Sequence, residues 1–206
     1  SFYAENARNN LPWRQPSTDG FFDPYKILVS EIMLQQTQVS RVISKYEQWL
    51  LEFPTAESLA EAPLSKVLTA WIGLGYNRRA KFLHESAKRI ANLNEFPKTQ
   101  SELTELPGIG PNTAGAICAY AFNIPVIFIE TNIRTVFLFQ FFENQEQVPD
   151  KELVPLIEQT LDHENPREWY WALMDYGTHI KQTKGNYSKN SKHHSVQSRF
   201  IGSKRQ

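Results

Sequence analysis

The segment Leu106-Pro-Gly-Ile-Gly-Pro111, running directly into Asn112-Thr-Ala-Gly-Ala-Ile-Cys-Ala-Tyr120, sets how the rest of the chain is read. Two glycines separated by one residue, Gly108 and Gly110, permit a tight turn and let backbone N–H groups face outward. A helix is predicted to start at once after them. Its first amides, around Thr113, and the positive end of its dipole then point the same way. Such a hairpin can hold a phosphate without any lysine, and without regard to base sequence. The same residues also make an ordinary connection between two helices, so the segment alone leaves both readings open.

On either side of this turn, apolar residues recur at helical spacing from Pro24 to Leu51, through Leu59–Ile72 and through Arg79–Leu93. Punctuation falls at Gly73-Leu-Gly75, Asn94–Pro97, Pro107–Pro111 and Asn123–Pro125. Further helices are predicted after Thr131, after an Asp150 cap, and over Trp169–Lys181. The aromatic run Phe137-Leu-Phe-Gln-Phe-Phe142 reads as a buried helix, and Cys118 as a small apolar residue of the core. Strand-like alternation is nearly absent, and no period of about 20–50 residues repeats. The expected fold class is all-α.

A length of 206 residues suits one compact domain or two small lobes sharing a cleft. The single cysteine excludes an intramolecular disulfide and any four-cysteine zinc or iron–sulfur site supplied by this chain. The opening SFYAENARNN has no apolar stretch of the signal-peptide kind, and no run of about 18 apolar residues occurs. An intracellular protein is expected, cytoplasmic in a bacterium or else nuclear. The 22 basic and 22 acidic residues balance, but unevenly along the chain. From Lys181 onward stand Lys181, Lys184, Lys189, Lys192, Arg199, Lys204 and Arg205 with no Asp or Glu, leaving a deficit of seven positive charges in the first 180 residues. A polyanion is the natural partner of such a segment, and a solvated tail is the plainer alternative.

Six stretches in order carry a family resemblance: Leu11-Pro-Trp-Arg14, Ser30-Glu-Ile-Met-Leu-Gln-Gln-Thr-Gln38, Gly73-Leu-Gly-Tyr76, the hairpin, Glu130-Thr-Asn-Ile-Arg134 and Ala172-Leu-Met-Asp-Tyr-Gly177. Together they resemble the helix-hairpin-helix DNA glycosylases, most closely the adenine glycosylases of MutY type, up to about Lys181. The resemblance implies a six-helix lobe over residues 21–124. A second lobe would be built from 1–20 plus 125–206, with the substrate base flipped into the cleft between the two.

Glu31 interrupts the run Ile27-Leu-Val-Ser-Glu-Ile-Met-Leu34, and its helical neighbours are Ile27, Leu28, Leu34 and Gln35. A carboxyl on so apolar a face is expected to hold its proton near neutrality, as protonation of a purine leaving group requires. The resemblance assigns Glu31 that role. It also implies Gln35, Gln36 and Tyr76 as wedges that fill the gap left by the flipped base. Arg78 and Arg79 suit phosphate contacts, as Lys181 and Lys184 do. Trp13 and Arg14 are expected at the base pocket or in packing.

Several positions depart from the family pattern. Glu130 stands where an Asp stabilises the sugar cation, one methylene longer. Asn112 stands where lyase relatives carry the Schiff-base Lys, which implies a glycosylase that uses water; a helix cap is the other reading. Trp171 replaces the polar side chain that reads the base edge, with one N–H donor or plain core packing in its place. Lys181 replaces the first cysteine of the family's iron–sulfur loop, so no cluster is expected, and the only cofactor considered is a monovalent cation at the hairpin 106–111. The basic tail is expected to pack as a metal-free cap touching DNA. The expected function is removal of adenine from a mismatch in double-stranded DNA by a monomer away from membranes. A thymine, uracil or damaged-base glycosylase, or a non-catalytic DNA-binding protein, are the alternatives.

Overall fold

The computed structural model describes residues 2–194, and among these the chain is helical, its only extended pairing being a single bridge, Val148 with Ser191. It divides into two compact units, Asn10–Phe122 on one hand and residues 2–9 with 123–194 on the other. The chain opens with a short helix of the second unit, α1 (Phe2–Asn6).

The continuous unit holds seven helices rather than the six expected. They are α2 (Pro24–Leu34), α3 (Val39–Glu52), α4 (Ala56–Glu61), α5 (Leu64–Trp71), α6 (Arg78–Ile90), α7 (Gln100–Thr104) and α8 (Pro111–Phe122). Asp23 starts α2 by accepting from Tyr25 N–H at 2.9 Å, with Pro24 in the first helical position. The apolar run expected from Pro24 to Leu51 is two helices, because the chain turns at the polar Gln35-Gln-Thr-Gln38. Pro63 likewise separates α4 from α5. Thr55 with Ser58, and Thr99 with Glu102, close reciprocal caps on α4 and α7.

α2 is the centre of this unit. Ile27, Leu28, Val29, Ile32 and Met33 are all buried, each worth about 1.5–3 kcal/mol of apolar burial. Around it lie α3, α6 and α8. Trp49 packs edge-on against Trp71 at 5.5 Å, while Tyr25 donates to Phe53 O at 2.8 Å. The 3-10 turn Pro12–Arg14 also belongs here, since Leu11 and Trp13 are buried and Trp13 meets Tyr46 edge-on at 5.6 Å. The boundary between the units therefore falls at Asn10, not after residue 20.

The second unit contains α1, α9 (Thr131–Phe141), α10 (Asp150–Thr160) and α11 (Pro166–Thr183). α11 lies close on α9: a Cβ on Gly177 would sit 2.6 Å from the Asn132 carbonyl oxygen, so only glycine allows this approach. Arg8 is fastened to the buried Asp175 of α11 at 2.7 Å, and Arg134 forks onto Asp150 with two bonds of 2.7 Å. In the aromatic run, Phe137 and Leu138 are buried but Phe141 is 53% exposed, so α9 presents two different faces. After α11 the chain returns along α9 through a second 3-10 turn, Tyr187–Asn190. Tyr187 meets Phe139 edge-on at 5.0 Å, Val148 N–H donates to Asn190 O at 2.9 Å, and Lys192 N–H donates to Val148 O at 3.0 Å. The first part of the basic tail thus packs as a cap. Arg199, Lys204 and Arg205 lie outside the described residues.

Candidate active site

Glu31 is half-buried on α2, and it alone escapes full burial between Ile27 and Met33. The helix sets Glu31 next to an apolar face, with Ile27 and Leu28 buried one turn before it. The one other polar side chain in that stretch, Ser30, folds back to donate to Ile27 O at 2.8 Å.

At the end of α2 the candidate wedge residues take unusual backbone conformations. Gln36 has φ 55° and is exposed; Tyr76, on the Gly73-Leu-Gly75 turn, has φ 49° and is half-buried. A bulky side chain in this left-handed region costs about 1–3 kcal/mol and persists only where its surroundings hold it. Part of that support is Trp71, whose indole N–H donates to Gly75 O at 3.0 Å. Gln35 turns back instead, donating to Thr113 Oγ1 at 3.2 Å, and so joins this turn to the first turn of α8.

Arg79 is a correction to the sequence reading. Expected to reach a phosphate, it is buried, and its guanidinium donates to carbonyls of α2 and of the Gly-Leu-Gly turn. Burial lowers its pKa to about 10. Arg78 is exposed and lies over the Phe82 ring at 4.9 Å. That ring is in turn the neighbour of Gly108, which ties Arg78 to the hairpin.

The two hairpin glycines differ. Gly108 has φ +77°, and a Cβ there would meet Phe82 Cδ2 at 2.7 Å; Gly110 has ordinary φ and nothing within 4 Å. Gly108 is thus required by the fold, whereas the space at Gly110 is open to a ligand. Gly108→Ala should destabilise the protein by about 1–3 kcal/mol. Gly110→Ala should leave its melting temperature unchanged while weakening duplex affinity, and unchanged affinity would mean that no phosphate approaches there. Asn112 is the second residue of α8, after Pro111, and exposed, so it is not the helix cap that one reading made it.

In the other unit Glu130 precedes α9, half-buried, with no capping bond from its side chain. Burial pushes its carboxyl up to about 6, against the lowering effect of Arg134 and Lys181. Lys181 is half-buried and donates to Asn132 Oδ1 at 2.6 Å; burial lowers its pKa and Glu130 raises it. This corrects the reading of Lys181 as a phosphate contact: it belongs to the surroundings of Glu130. Lys184, one turn on, is exposed. Trp171 is half-buried on α11, neither a core residue nor a free surface one. Trp13 and Arg14 are both buried, so Trp13 serves the core rather than an open base pocket. Sequence reasoning gave Asn132 no role and gave Arg79 the wrong partner.

Among the described residues no group of three or more His, Cys, Asp or Glu side chains is placed to hold a metal. Cys118 is buried, donates to Lys98 O at 3.3 Å, and has its thiol pushed up to about 11 by burial. A four-thiolate iron–sulfur cluster does not fit this chain. No helix of the described residues is long and apolar enough to cross a membrane.

Residues 29–156 match the family model described as HhH-GPD superfamily base excision DNA repair protein. The adenine DNA glycosylase of Buchnera aphidicola subsp. Baizongia pistaciae is 34% identical over 186 residues, covering 87% of this chain and 51% of that protein. That of Mycolicibacterium smegmatis is 45% identical over 134 residues, covering 64% and 44%. The chain thus spans about half the length of these relatives. Among solved structures, a thermostable thymine-DNA glycosylase superposes with a TM-score of 0.67 at 26% identity, over 82% of this chain and 80% of that one.

Proposed function

The chain belongs to the HhH-GPD superfamily of base excision DNA repair proteins, and on that footing we propose that it is a DNA N-glycosylase acting on adenine in a mismatch, opposite guanine or 8-oxoguanine. The observation that carries the reading is Glu31, the one half-buried residue among the buried residues from Ile27 to Met33 of α2. In the proposed reaction Glu31 gives its proton to the purine as the C1′–N bond breaks and the bonding pair leaves with the base. Glu130, as carboxylate, offsets the positive charge that develops on the sugar. Water then adds at C1′ and gives up a proton, which restores the acid form of Glu31. Asn112 has no amine, so no Schiff base forms at that position.

Duplex DNA is the proposed partner of a monomer. The hairpin, with Gly108, Gly110, Thr113 and a monovalent cation over 106–111, grips a phosphate; Gln36, Tyr76 and Arg78 face the strand, and Gln35 ties their turn to the hairpin helix through Thr113. The exposed Lys184, Lys189 and Lys192 of the docked tail add grip on the DNA backbone. Changing these three to Gln should weaken binding to every sequence and flatten the dependence of log K on log salt by about 0.9 for each phosphate no longer neutralised. An unchanged slope would limit this segment to packing.

Trp171 favours a second reading, a thymine or uracil mismatch glycosylase, because an indole offers one donor where adenine readout calls for more. Duplexes carrying A·G, A·8-oxoguanine, T·G, U·G and alkylated bases, scored by strand scission after alkali, separate the two. Scission at A·8-oxoguanine or A·G is expected; scission confined to T·G and U·G selects the second reading, and none at all defeats the enzymatic one. Borohydride should trap no covalent DNA complex, and a trapped one would overturn the water mechanism.

A further inference from the structure

We propose that Arg79 is a positioning residue that fixes the spacing of the two wedges, Gln36 and Tyr76, by holding both of their turns with one guanidinium. The proposal rests on the wedge reading of those two residues. One arm of the fork, Nη1, donates to Ile32 O at 2.8 Å, Met33 O at 3.1 Å and Gln35 O at 2.6 Å. These are carbonyls at the end of α2, which the helix leaves without internal partners. The other arm, Nη2, donates to Leu74 O and Gly75 O, each at 3.0 Å, and to Thr37 Oγ1 at 3.1 Å. Gln36 is therefore bracketed by bonds to Gln35 and Thr37, and Tyr76 directly follows Gly75.

The guanidinium also lies 5.5 Å from the centre of the Tyr76 ring and 5.3 Å from that of Trp71. Gln36 and Tyr76 both have φ in the left-handed region, where side-chain-bearing residues stay only when held. All six acceptors are neutral oxygens, so Arg79 supplies geometry rather than a charge pair. A lysine keeps the charge but presents a single ammonium, which cannot span both turns. Loss of the fork should leave the hairpin's grip on the backbone in place and loosen only the pair of side chains that enter the stack.

The test is Arg79→Lys in the full chain, with a duplex carrying 2-aminopurine at the target position. Fluorescence gain on binding reports unstacking without requiring excision. The wild type should show the gain. Arg79→Lys should bind undamaged duplex within about threefold of wild type yet lose the gain about tenfold, the scale of a misplacement near 1 Å. A duplex with an abasic site opposite the target, whose base is already loosely stacked, should recover most of the signal. A wild-type-like gain in Arg79→Lys, or an equal loss on both duplexes, overturns the proposal. If Arg79→Lys does not fold, Thr37→Val removes one of the six bonds and should give a smaller loss with the same recovery; no loss there overturns it. Absence of any gain with the wild type would instead remove the wedge reading, and the proposal with it.

Discussion

Glu31→Gln leaves duplex binding intact and lowers single-turnover excision by about 10²–10⁴, the range a positioned general acid contributes. The amide has the volume and polarity of the carboxyl, so α2, whose other residues from Ile27 to Met33 are buried, keeps its packing. What disappears is the transferable proton. Without it the purine departs as an anion, a much poorer leaving group. The measurement is excision from the best duplex of the panel beside the Kd of the same duplex. Turnover near that of the wild type would remove Glu31 from the chemistry; lost binding together with lost turnover would mark it as structural.

Glu130→Gln should have the next largest effect, and pH shows why. Burial raises the Glu130 carboxyl to about 6, so the carboxylate needed to face a sugar cation forms only as pH rises through that value. The wild-type rate should therefore climb between about pH 5 and pH 7 and fall again at higher pH, where Glu31 no longer holds the proton it must give. In Glu130→Gln that rising limb should vanish, and the maximal rate should fall by about 10²–10³, as when one electrostatic stabiliser of the transition state is lost. A limb that persists in the variant would assign the titration to another group.

The extra methylene of Glu130 bears on the same experiment. Lys181 and Arg134 both act on its carboxyl, and Lys181 is anchored by Asn132. In this arrangement a basic side chain stands in the surroundings of the carboxylate at the position where the family begins its metal loop. Glu130→Asp, which restores the family's residue, tests whether the longer side chain and these partners belong together. A slower rate is expected; an unchanged rate would mean that the length of the side chain is immaterial, and a faster one that the longer side chain is a handicap.

Much of this was legible beforehand, because periodicity and punctuation report local structure well. The helix at Thr131 begins where expected, and the Gly108 turn has the positive φ that its glycine suggested; the helix expected after an Asp150 cap begins at Asp150 itself, whose carboxylate holds Arg134 instead of capping. What was not legible depends on contacts distant in sequence. Nothing in Gln35-Gln-Thr-Gln38 breaks a helix as Pro or Gly would. The break coincides with an arginine more than forty residues later that takes the helix's last carbonyls. The same remoteness hid the burial of Arg79 and the half-burial of Lys181, since an arginine or lysine in a polar stretch reads as surface. Trp13 went to the core of the continuous unit through Tyr46, a partner that composition does not reveal.

Because the chain's one thiol, Cys118, is buried and pushed up to about 11, only about one molecule in ten thousand carries a thiolate there at pH 7. A maleimide dye should ignore it. Leu51→Cys, at a position 86% exposed and given no part in binding, would then accept a single fluorophore, with no need to engineer away a native cysteine first. This polypeptide is thus already a suitable background for site-directed labelling, and its encounters with nucleic acid can be followed one molecule at a time.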